Sequence, residues 1–509
     1  MNRQILTRLE HGQCVLRITQ ECRASLEAML YRRYPEREWG SFFRFGWRRT
    51  PWGLALSFVD GLWPEARDLN RAVGIVEIRS QYTLRAVDAL QAGSLGIGVI
   101  HSHPQGADTF PSSLDDDMDG YYGELFGDYA PGRPYASVIF SRAQDGEFRF
   151  TGRVFFDGKW LPVQELLTCG EGEIKREGCQ EDQHWSDRVQ VGAKDAEAGK
   201  TTARLRSFLS DEAGERLRRS TVAIVGCSGT GSPAVETLAR GGVGRFVLVD
   251  YQRIAASNLE RVHGSTWQDV QEGTPPYKVE IMARMIREIN PVAQIEAIVG
   301  NILDDEVLDA VLRADIILNC TDTQHSRAAL GDLATHYLLP SLDIGVLLEG
   351  TNGRVRAQVG QFTWFKPGLP CAFCGQMVDY ATLAHELMSE EEKVQRRHAA
   401  QEAQERGVDP NQYWRGKPPQ LLTVGYMTST LGSLGAGYVI GALTGKFRVP
   451  HTRFQFDINA PFFGVVDVER QPEKSCSCRT QFGFADQARA DRSVSRPQHW
   501  ERGKTVLIV

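Results

Sequence analysis

The sequence has no apolar run of the roughly 20 residues that a membrane-spanning helix requires, so we expect no membrane partner. Its first residues, MNRQILTRLEHGQ, are mixed polar and contain no apolar signal core, and we therefore expect a cytoplasmic location. A basic excess is also missing, because the formal net charge is -6. Since nucleic-acid-binding domains usually carry a strong basic excess, we expect no nucleic-acid partner.

Cysteine is sparse and unevenly distributed. Ten cysteines occur among 509 residues, and four of them form two close pairs, Cys371 with Cys374 and Cys476 with Cys478. The segment between the pairs, residues 375 to 475, contains none. In a large cytosolic chain, paired cysteines indicate a metal site before a disulfide.

The pattern of apolar runs predicts two domains joined by a linker. Over residues 1–165, strand-like runs such as GIVEI, GIGVIHSH and YASVIFS accompany a polar helix-compatible stretch, which predicts an α+β domain. Residues 166–203 are charged and punctuated by glycine, and we interpret them as a linker. Over residues 204–509, the strands TVAIVG, RFVLVD, QIEAIVG and DIILNCTD alternate with helix-length segments, which predicts a doubly wound α/β domain with a parallel sheet. A polar, helix-prone stretch at about 380–420 is interpreted as an insertion outside that sheet.

A strand, a glycine-rich turn and a helix lie in TVAIVGCSGTGSPAVETLAR. Gly226, Gly229 and Gly231 allow the backbone to approach a phosphate, whose charge is favourable at a helix N-terminus. Asp250 ends the next strand, at a position where an acidic residue binds ribose hydroxyls. A dinucleotide dehydrogenase has a similar turn, so these residues alone predict a nucleotide and no particular reaction.

Four further motifs follow in order, namely SNLER, YKVE, INP and NCTD. With them, the segment from Ser220 to Cys374 resembles the family of MoeB, ThiF and the ubiquitin-activating enzymes, with weaker support to Cys478. The resemblance implies a Rossmann-like homodimer that uses ATP and Mg²⁺ to adenylate the C-terminus of a ubiquitin-like protein. A sulfur-carrier protein is an alternative partner, and protein tagging would add a conjugating-enzyme-like protein. A non-catalytic nucleotide-binding scaffold is the alternative from another functional class.

The resemblance also implies residue roles. Asn258 and Arg261 contact the triphosphate, Lys278 reaches the phosphates, Asp322 holds Mg²⁺ and Asp250 binds ribose. Adenylation expels pyrophosphate, so cations near the phosphates must neutralise the developing charge. We therefore expect Arg261, Lys278 and Asp322 to be the catalytic set.

Two features near the turn depart from the family pattern or match it poorly. The family turn mostly reads GxGGxG, whereas this chain has GCSGTG, in which Ser228 replaces a glycine and offers a hydroxyl to a phosphate. An arginine before the first strand usually reaches the partner subunit's site, and Arg204 or Arg206 is the candidate.

The cysteine pairs correspond to a structural zinc site that members of the same family carry, usually as two CxxC pairs. Here the second pair is CxC, and we expect zinc to be held by Cys371, Cys374, Cys476 and Cys478. The family often uses another cysteine near the crossover loop to receive the activated partner as a thioester. Because residues 375 to 475 have no cysteine, three alternatives stay open: the reaction stops at the adenylate, a linker thiol of Cys169 or Cys179 is used, or a hydroxyl in QLLTVGYMTSTLGS accepts the partner.

A second metal motif lies in GIGVIHSHPQGADTFPSSLDDDMD. His101 and His103 end an apolar strand with one residue between them, so strand alternation places both imidazoles on one face. Asp115 follows at the start of a predicted helix. Two histidines, a carboxylate and an open position are typical of a catalytic zinc site.

This stretch resembles the JAMM (JAB/MPN) metallopeptidases, whose motif is HxHP followed by SxxD. Ser112 and Asp115 match the second part after a gap one residue longer than usual, and Ser113 with Asp116 is the shifted alternative. The resemblance implies that Ser112 helps to hold an oxyanion.

The JAMM resemblance also implies an upstream glutamate that acts as general base. The segment PEREWGSFF offers Glu36 and Glu38, and we choose Glu38. A structural or inactive metal site is the alternative for this domain, as is a domain that only docks the partner. If active, it would trim a ubiquitin-like precursor or release that protein from its conjugates, and the linker would keep both sites near one partner.

Overall fold

The structure, a computed structural model, describes residues 13–32, 38–72, 75–144, 146–170, 172–179, 200–271, 273–414, 423–448, 452–460, 465–488 and 494–508. The chain divides into two compact units. The first comprises Met1–Gly192, Thr335–Leu339 and Thr480–Arg489, and the second comprises Ala193–Ala334, Pro340–Arg479 and Ala490–Val509.

The first unit is built on an eight-stranded sheet with the strand order β1-β3-β2-β6-β7-β8-β9-β10. Its strands are β1 Gln13–Thr19, β2 Trp39–Thr50, β3 Gly53–Leu62, β6 Gly96–Ser102, β7 Tyr135–Arg142, β8 Phe148–Phe156, β9 Lys159–Cys169 and β10 Ile174–Gly178. Its other elements are the small β4 Leu69–Ala72 and β5 Ile75–Ile78 pair and the helices α1 Gln20–Arg32, α2 Ser80–Gln91 and α3 Ser113–Tyr129. Because β1 also pairs with β9, seven of these strands form a closed ring.

An aromatic cluster holds α2 and α3 against this sheet. Phe42 on β2 is fully buried and packs edge-on against Tyr82 of α2 and Tyr122 of α3, with ring centroids 4.9 and 5.4 Å apart. Phe126, one helical turn after Tyr122, stacks on it at 5.5 Å. Such rings bury large apolar areas and prefer these offset or edge-to-face geometries. The cluster therefore fixes α3, which carries Asp115, relative to the central strands.

The second unit contains a nine-stranded sheet with the order β18-β17-β16-β15-β14-β11-β12-β13-β19. Its strands are β11 Thr221–Val225, β12 Arg245–Val249, β13 Gln294–Val299, β14 Ile316–Asn319, β15 Ser341–Thr351, β16 Arg354–Phe365, β17 Arg453–Asp457, β18 Val465–Asp467 and β19 Lys504–Ile508. The pairs from β15 through β14, β11 and β12 to β13 are parallel, and the outer pairs are antiparallel.

The central strands β11 and β14 are wholly buried and mostly apolar, as is typical of parallel strands with helices on both faces. The α-helices are α4 Ala203–Leu209, α5 Asp211–Arg219, α6 Gly231–Arg240, α7 Lys278–Ile289, α8 Asp305–Val311, α9 Gln324–His336, α10 Tyr380–Leu387, α11 Glu390–Glu405, α12 Gly425–Thr444 and α13 Ser477–Thr480. Strand β11 has β12 on one side and β14 on the other, so the order reverses there. Ligands of such sheets bind at this reversal, outside the carboxyl ends of the strands.

The mixed α/β fold predicted from the sequence is confirmed, and three details differ or are new. Strand β9 runs to Cys169 and β10 follows, so the interval interpreted as a linker over 166–203 begins with sheet residues. The reason is that QELLTC pairs with β1 on one side and β10 on the other. The polar insertion forms α10 and α11. Four of the eight strand pairings in the second sheet are antiparallel, namely β13–β19, β15–β16, β16–β17 and β17–β18. Among the described residues, no helix has both the length and the apolarity to span a bilayer.

Replacement of Arg153 tests a buried charge cluster in the first unit. Its guanidinium lies 2.5 Å from the Asp116 carboxylate and 2.6 Å from that of Asp119, and its side chain is 3% exposed. Arg153→Met would leave two buried carboxylates without their cation, and we expect it to lower the free energy of unfolding by about 3–5 kcal/mol in urea titrations. Arg49→Met removes an exposed pair with Asp157 and should cost less than about 1 kcal/mol. Equal effects of the two substitutions would contradict this account.

Candidate functional site

The glycine-rich turn between β11 and α6 is closed by contacts that exclude side chains. Gly226 has a φ of +93°, and its N–H donates to the Val249 carbonyl at 2.8 Å. A Cβ on Gly231 would lie 1.9 Å from the Gly226 oxygen, and a Cβ on Gly226 would lie 2.8 Å from the Cys320 carbonyl carbon. No side chain caps the start of α6. The first-turn N–H groups of this helix are therefore suited to an anion.

Asp250 braces this turn from the end of β12. One carboxylate oxygen accepts from the Cys227 N–H and the other from the Gln252 N–H, both at 2.8 Å. A carboxylate has about four acceptor positions, so both oxygens retain capacity for ribose hydroxyls. Burial raises the pKa of Asp250, the charge of Lys278 opposes that shift, and the nearby Asp322 carboxylate adds to it.

Lys278 lies at the start of α7 with its ammonium directed toward the turn. Its Nζ donates to Gln252 Oε1 at 2.6 Å and to Ser228 Oγ at 3.3 Å, and the residue is 3% exposed. The hydroxyl of Ser228, which replaces the usual glycine, therefore accepts a hydrogen bond from this lysine. Gln252 was not among the residues predicted from sequence, although its place two residues after Asp250 was a signal that could have identified it.

Arg261 and Asn258 lie on the loop after β12. A Cβ on Gly229 would be 3.3 Å from Arg261 Cδ, so the arginine stem lies against the glycine turn. Arg261 Nη1 donates to the Ser257 carbonyl at 2.8 Å, whereas Asn258 Oδ1 accepts from the Ala255 N–H at 3.2 Å. Each side chain is thus partly used to shape its own loop.

The remaining predicted residues of this site divide into two groups. Asp322 is exposed and influences the pKa values of Asp250 and Tyr251 through its charge, so it belongs to the same neighbourhood. Arg204 and Arg206 lie on α4, where Arg206 Nε donates to Thr202 Oγ1 at 3.3 Å. Their proposed reach into a partner subunit stays a prediction.

The four paired cysteines converge in the second unit. Cys371 Sγ lies 3.7 Å from Cys476 Sγ, Cys374 Sγ lies 3.7 Å from Cys478 Sγ, and all four sulfurs are within 4.8 Å of one another. A zinc–sulfur bond of about 2.3 Å in a tetrahedron gives sulfur–sulfur distances of about 3.8 Å. The donor set and its spacing therefore fit a closed structural zinc site.

A second group of candidate metal ligands lies in the first unit. His101 Nε2 is 3.2 Å and His103 Nε2 is 3.8 Å from the two oxygens of Asp115, and the three side chains are at most 12% exposed. Neither ring nitrogen of His101 makes a hydrogen bond within the described part of the chain. His103 Nδ1 bonds to the Asp108 carbonyl at 2.8 Å, which orients the other ring nitrogen toward Asp115. Two imidazole nitrogens directed at the oxygens of one carboxylate fit a bound cation.

A capping box at the start of α3 positions Asp115. The Asp115 carboxylate accepts from the Ser112 N–H at 2.6 Å, and Ser112 Oγ accepts from the Asp115 N–H at 3.3 Å. The alternative carboxylate, Asp116, pairs with Arg153 and is not part of the histidine group. Burial alone would raise the pKa of Asp115, but its contacts with His101 and His103 hold it well below the usual range.

Glu38 reaches the same centre through strand pairing. Gly40 on β2 is opposite His101 on β6, and Trp39 is opposite Ser102, so residue 38 is at the level of His103. Burial raises the pKa of Glu38, and the charges of His101 and His103 oppose that shift. Glu36, the other candidate base, lies outside the described residues.

Comparison with known proteins identifies relatives of the second unit. The profile of the ThiF family matches residues 201–480. The SAMP-activating enzyme E1 of Haloferax volcanii is 31% identical over 173 residues, which are 33% of this chain and 59% of that protein. The molybdopterin-synthase adenylyltransferase of Haemophilus influenzae is 32% identical over 158 residues, 31% of this chain and 60% of that protein.

Other similarities are more distant. The ubiquitin-like modifier-activating enzyme 5 of Drosophila willistoni is 30% identical over 154 residues, 28% of this chain and 37% of that protein. The crystal structure of E. coli MccB aligns with a TM-score of 0.40 and 18% identity, over 55% of this chain and 74% of that one. The chain thus spans about 60% of the length of the first two relatives above.

Metal analysis tests both groups of candidate ligands. We expect the purified chain to hold about two equivalents of zinc, and Cys374→Ser to lose about one, because three thiolates leave a tetrahedral site open. Cys22→Ser is the matched control, since this half-buried cysteine is in neither group. Inductively coupled plasma mass spectrometry of the wild type and the variants measures the zinc bound per chain. Zinc content unaffected by Cys374→Ser would refute the cysteine site.

Proposed function

The chain belongs to the ThiF family, and on that basis we propose that its second unit uses ATP to adenylate the C-terminal carboxylate of a ubiquitin-like or sulfur-carrier protein. The observation that supports this most is the convergence of Lys278 and Asp250 on the glycine-rich turn, with Arg261 packed against it. We also propose a homodimer in the cytoplasm and, for protein tagging, a conjugating-enzyme-like partner.

The proposed chemistry is largely electrostatic. The carboxylate attacks the α-phosphorus of ATP and pyrophosphate leaves, so negative charge moves toward the leaving group. Lys278 Nζ and the Arg261 guanidinium would bind the phosphates, and Ser228 Oγ would add a hydrogen bond. Asp322 is the residue that would hold Mg²⁺, which supplies further charge neutralisation when bound. Preorganised cations of this kind stabilise the transition state without moving.

Pyrophosphate exchange tests the proposal. Each ubiquitin-like or sulfur-carrier protein of the same genome is incubated with the chain, ATP and labelled pyrophosphate. We expect exchange with at least one of them, and a loss on the order of 100-fold for Arg261→Ala or Asp322→Ala, because each removes charge stabilisation from the transition state. Arg287→Ala, an exposed arginine on the last turn of α7, is the control and should exchange like the wild type.

The same assay separates the competing functions. A non-catalytic nucleotide-binding scaffold would bind ATP but give no exchange with any candidate partner. If exchange occurs, the partner that supports it distinguishes protein tagging from sulfur transfer. The set of oppositely charged residues around the turn favours an enzyme, since a scaffold has no need for a buried lysine directed at this turn.

We propose a second activity for the first unit, the hydrolysis of a peptide or isopeptide bond after a ubiquitin-like C-terminus. Two imidazoles and a carboxylate around one point support it, together with Glu38, which the pairing of β2 with β6 places at the level of His103. His101, His103 and Asp115 would hold zinc, which makes a bound water more acidic. Glu38 would accept the proton of the attacking water and deliver it to the leaving amine. Ser112 Oγ accepts a hydrogen bond from the Asp115 N–H, and in the proposed reaction its O–H would donate to the oxyanion.

Cleavage assays test this second activity. The substrate is the exchange-active partner with a short C-terminal extension, and a fusion through an isopeptide bond represents a conjugate. We expect Glu38→Ala to reduce cleavage by roughly 100-fold or more, because a general base of this kind contributes that much. His103→Ala and a chelator should abolish cleavage, whereas Glu21→Ala, exposed on α1, should not alter it.

The controls also decide among the alternatives for this unit. If Glu38→Ala cleaves like the wild type while Glu36→Ala does not, Glu36 is the base. If the wild type cleaves neither substrate but binds the partner, the unit is a docking domain. Full cleavage after removal of zinc would exclude the proposed metal chemistry.

A further inference from the structure

Three side chains beside the glycine-rich turn form a hydrogen-bonded chain that the proposed adenylation does not use. Ser429 Oγ lies 2.8 Å from His263 Nε2, and His263 Nδ1 lies 2.8 Å from Glu236 Oε2. The three residues come from α12, the loop before α7 and α6, and each is partly buried. A hydroxyl, an imidazole and a carboxylate in this order are the arrangement that activates a serine nucleophile.

Ser429 differs from its neighbours on α12 in where its hydroxyl points. Thr428 Oγ1 donates to the Val424 carbonyl at 3.3 Å, and Thr430 Oγ1 donates to the Tyr426 carbonyl at 2.8 Å. Hydroxyls inside helices commonly donate back in this way. Ser429 instead directs its hydroxyl to the imidazole of His263. The hydrogen bond between Ser429 and His263 is therefore specific to this position and is not the usual behaviour of a hydroxyl on this helix.

Glu236 fixes the state of the imidazole. Its second oxygen accepts from Arg240 Nε at 2.9 Å, which holds the carboxylate in place on α6. The hydrogen bond to His263, with a further contribution from Arg240, lowers the pKa of Glu236, so it stays ionised. An ionised carboxylate accepts a hydrogen bond from Nδ1–H, and in the neutral imidazole this leaves Nε2 as the acceptor for the Ser429 hydroxyl.

The hydrogen-bonded group of Ser429, His263 and Glu236 lies against the glycine-rich turn. A Cβ on Gly432 would lie 2.2 Å from the Thr230 carbonyl oxygen, so α12 packs directly on the turn. Ser232, in the first turn of α6, accepts the His263 N–H on its Oγ at 2.9 Å and donates to the Ser228 carbonyl at 2.8 Å. The residue before Ser429 contacts the Gly229 position. The Ser429 hydroxyl is thus carried by the residue next to Thr428, which contacts the glycine-rich turn at Gly229.

We propose that Ser429 receives the activated C-terminal carboxyl from the adenylate, with His263 as general base and Glu236 as its positioning residue. This inference rests on the proposed adenylation. Ser429 Oγ attacks the carbonyl carbon of the acyl adenylate, and its proton passes to His263 Nε2. The new ester C–O bond forms as the C–O bond to the phosphate breaks, and AMP leaves. The absence of cysteine from residues 375 to 475 requires a different acceptor if any covalent intermediate forms in this region.

A fluorophosphonate carrying a fluorescent dye tests the nucleophile without the partner. Attack by Ser429 would displace fluoride and form a phosphonate ester, and peptide mass spectrometry would locate it. We expect wild-type labelling at Ser429 and a decrease on the order of 100-fold in His263→Ala, because the general base is lost. Ser433→Ala is the matched control, since Ser433 is exposed one turn further along α12 and its hydroxyl is bonded to Thr237. Labelling that persists in Ser429→Ala would overturn the proposal.

A second experiment separates this proposal from adenylation itself. The chain, ATP and the exchange-active partner should give an adduct that resists reductant and is cleaved by alkaline hydroxylamine, as expected of an ester. Ser429→Ala should lose the adduct and retain pyrophosphate exchange. Exchange without an ester adduct in the wild type would refute Ser429 as the acceptor while adenylation stands. If no candidate partner gives exchange, the adenylation proposal fails, and the acceptor role of Ser429 fails with it.

Discussion

The close approach of Gly231 to the Gly226 carbonyl oxygen is the constraint on which the nucleotide site of the second unit depends. A Cβ at residue 231 would lie 1.9 Å from that oxygen, so only glycine allows α6 to begin at the end of the short turn that follows β11. With the turn closed, the Cys227 N–H reaches the Asp250 carboxylate and the tip of β12 is tied to the tip of β11. Helix α12 then packs with the Gly432 position against the Thr230 carbonyl. The nucleotide turn, the acidic strand end and α12 therefore form one assembly.

This assembly contains a buried ammonium, that of Lys278, and a buried carboxylate, that of Asp250. Lys278 and Asp250 are both buried, and each reduces the cost of the other's charge. Lys278 also donates hydrogen bonds to the uncharged side chains of Gln252 and Ser228. These bonds keep its ammonium at the turn without neutralising its charge. An ammonium held this way is preorganised for phosphate, since binding requires little rearrangement of the protein. The Ser228 substitution in the family turn thus has a direct contact to explain it.

Both groups of candidate metal ligands combine a local pair with distant partners. In the cysteine group, one pair lies on the segment after β16 and the other at α13, and the two meet across more than 100 positions. In the histidine group, strand alternation sets the pair on β6, and the capping box of α3 supplies the carboxylate. Glu38 joins through the register of β2 with β6. Packing of Phe42 against α3 is what keeps the helix at the correct distance.

Local motifs were predictable because backbone geometry acts over a few residues. The HxH spacing, the two cysteine pairs, the glycine turn and the strand ending in Asp250 depend on alternation or on one turn of chain, and the sequence alone determined them. It also determined the mixed α/β class, since apolar strands alternate with helix-length segments. Alternatives that sequence left open, such as Asp115 against Asp116, were separated by the partners of each carboxylate, because Asp116 pairs with Arg153.

Only the tertiary structure decided the contacts between distant segments. The pairing of β1 with β9, the antiparallel strands β16 to β19 and the extension of the first sheet to β10 depend on register, which local periodicity does not encode. The same holds for the hydrogen-bonded group of Ser429, His263 and Glu236, because Ser429 is 166 positions from His263 and His263 is 27 positions from Glu236. Their hydrogen bonds exist because α12 packs on the turn at glycines too small to separate the backbones. That packing is a property of two surfaces, and no single segment of the sequence specifies it.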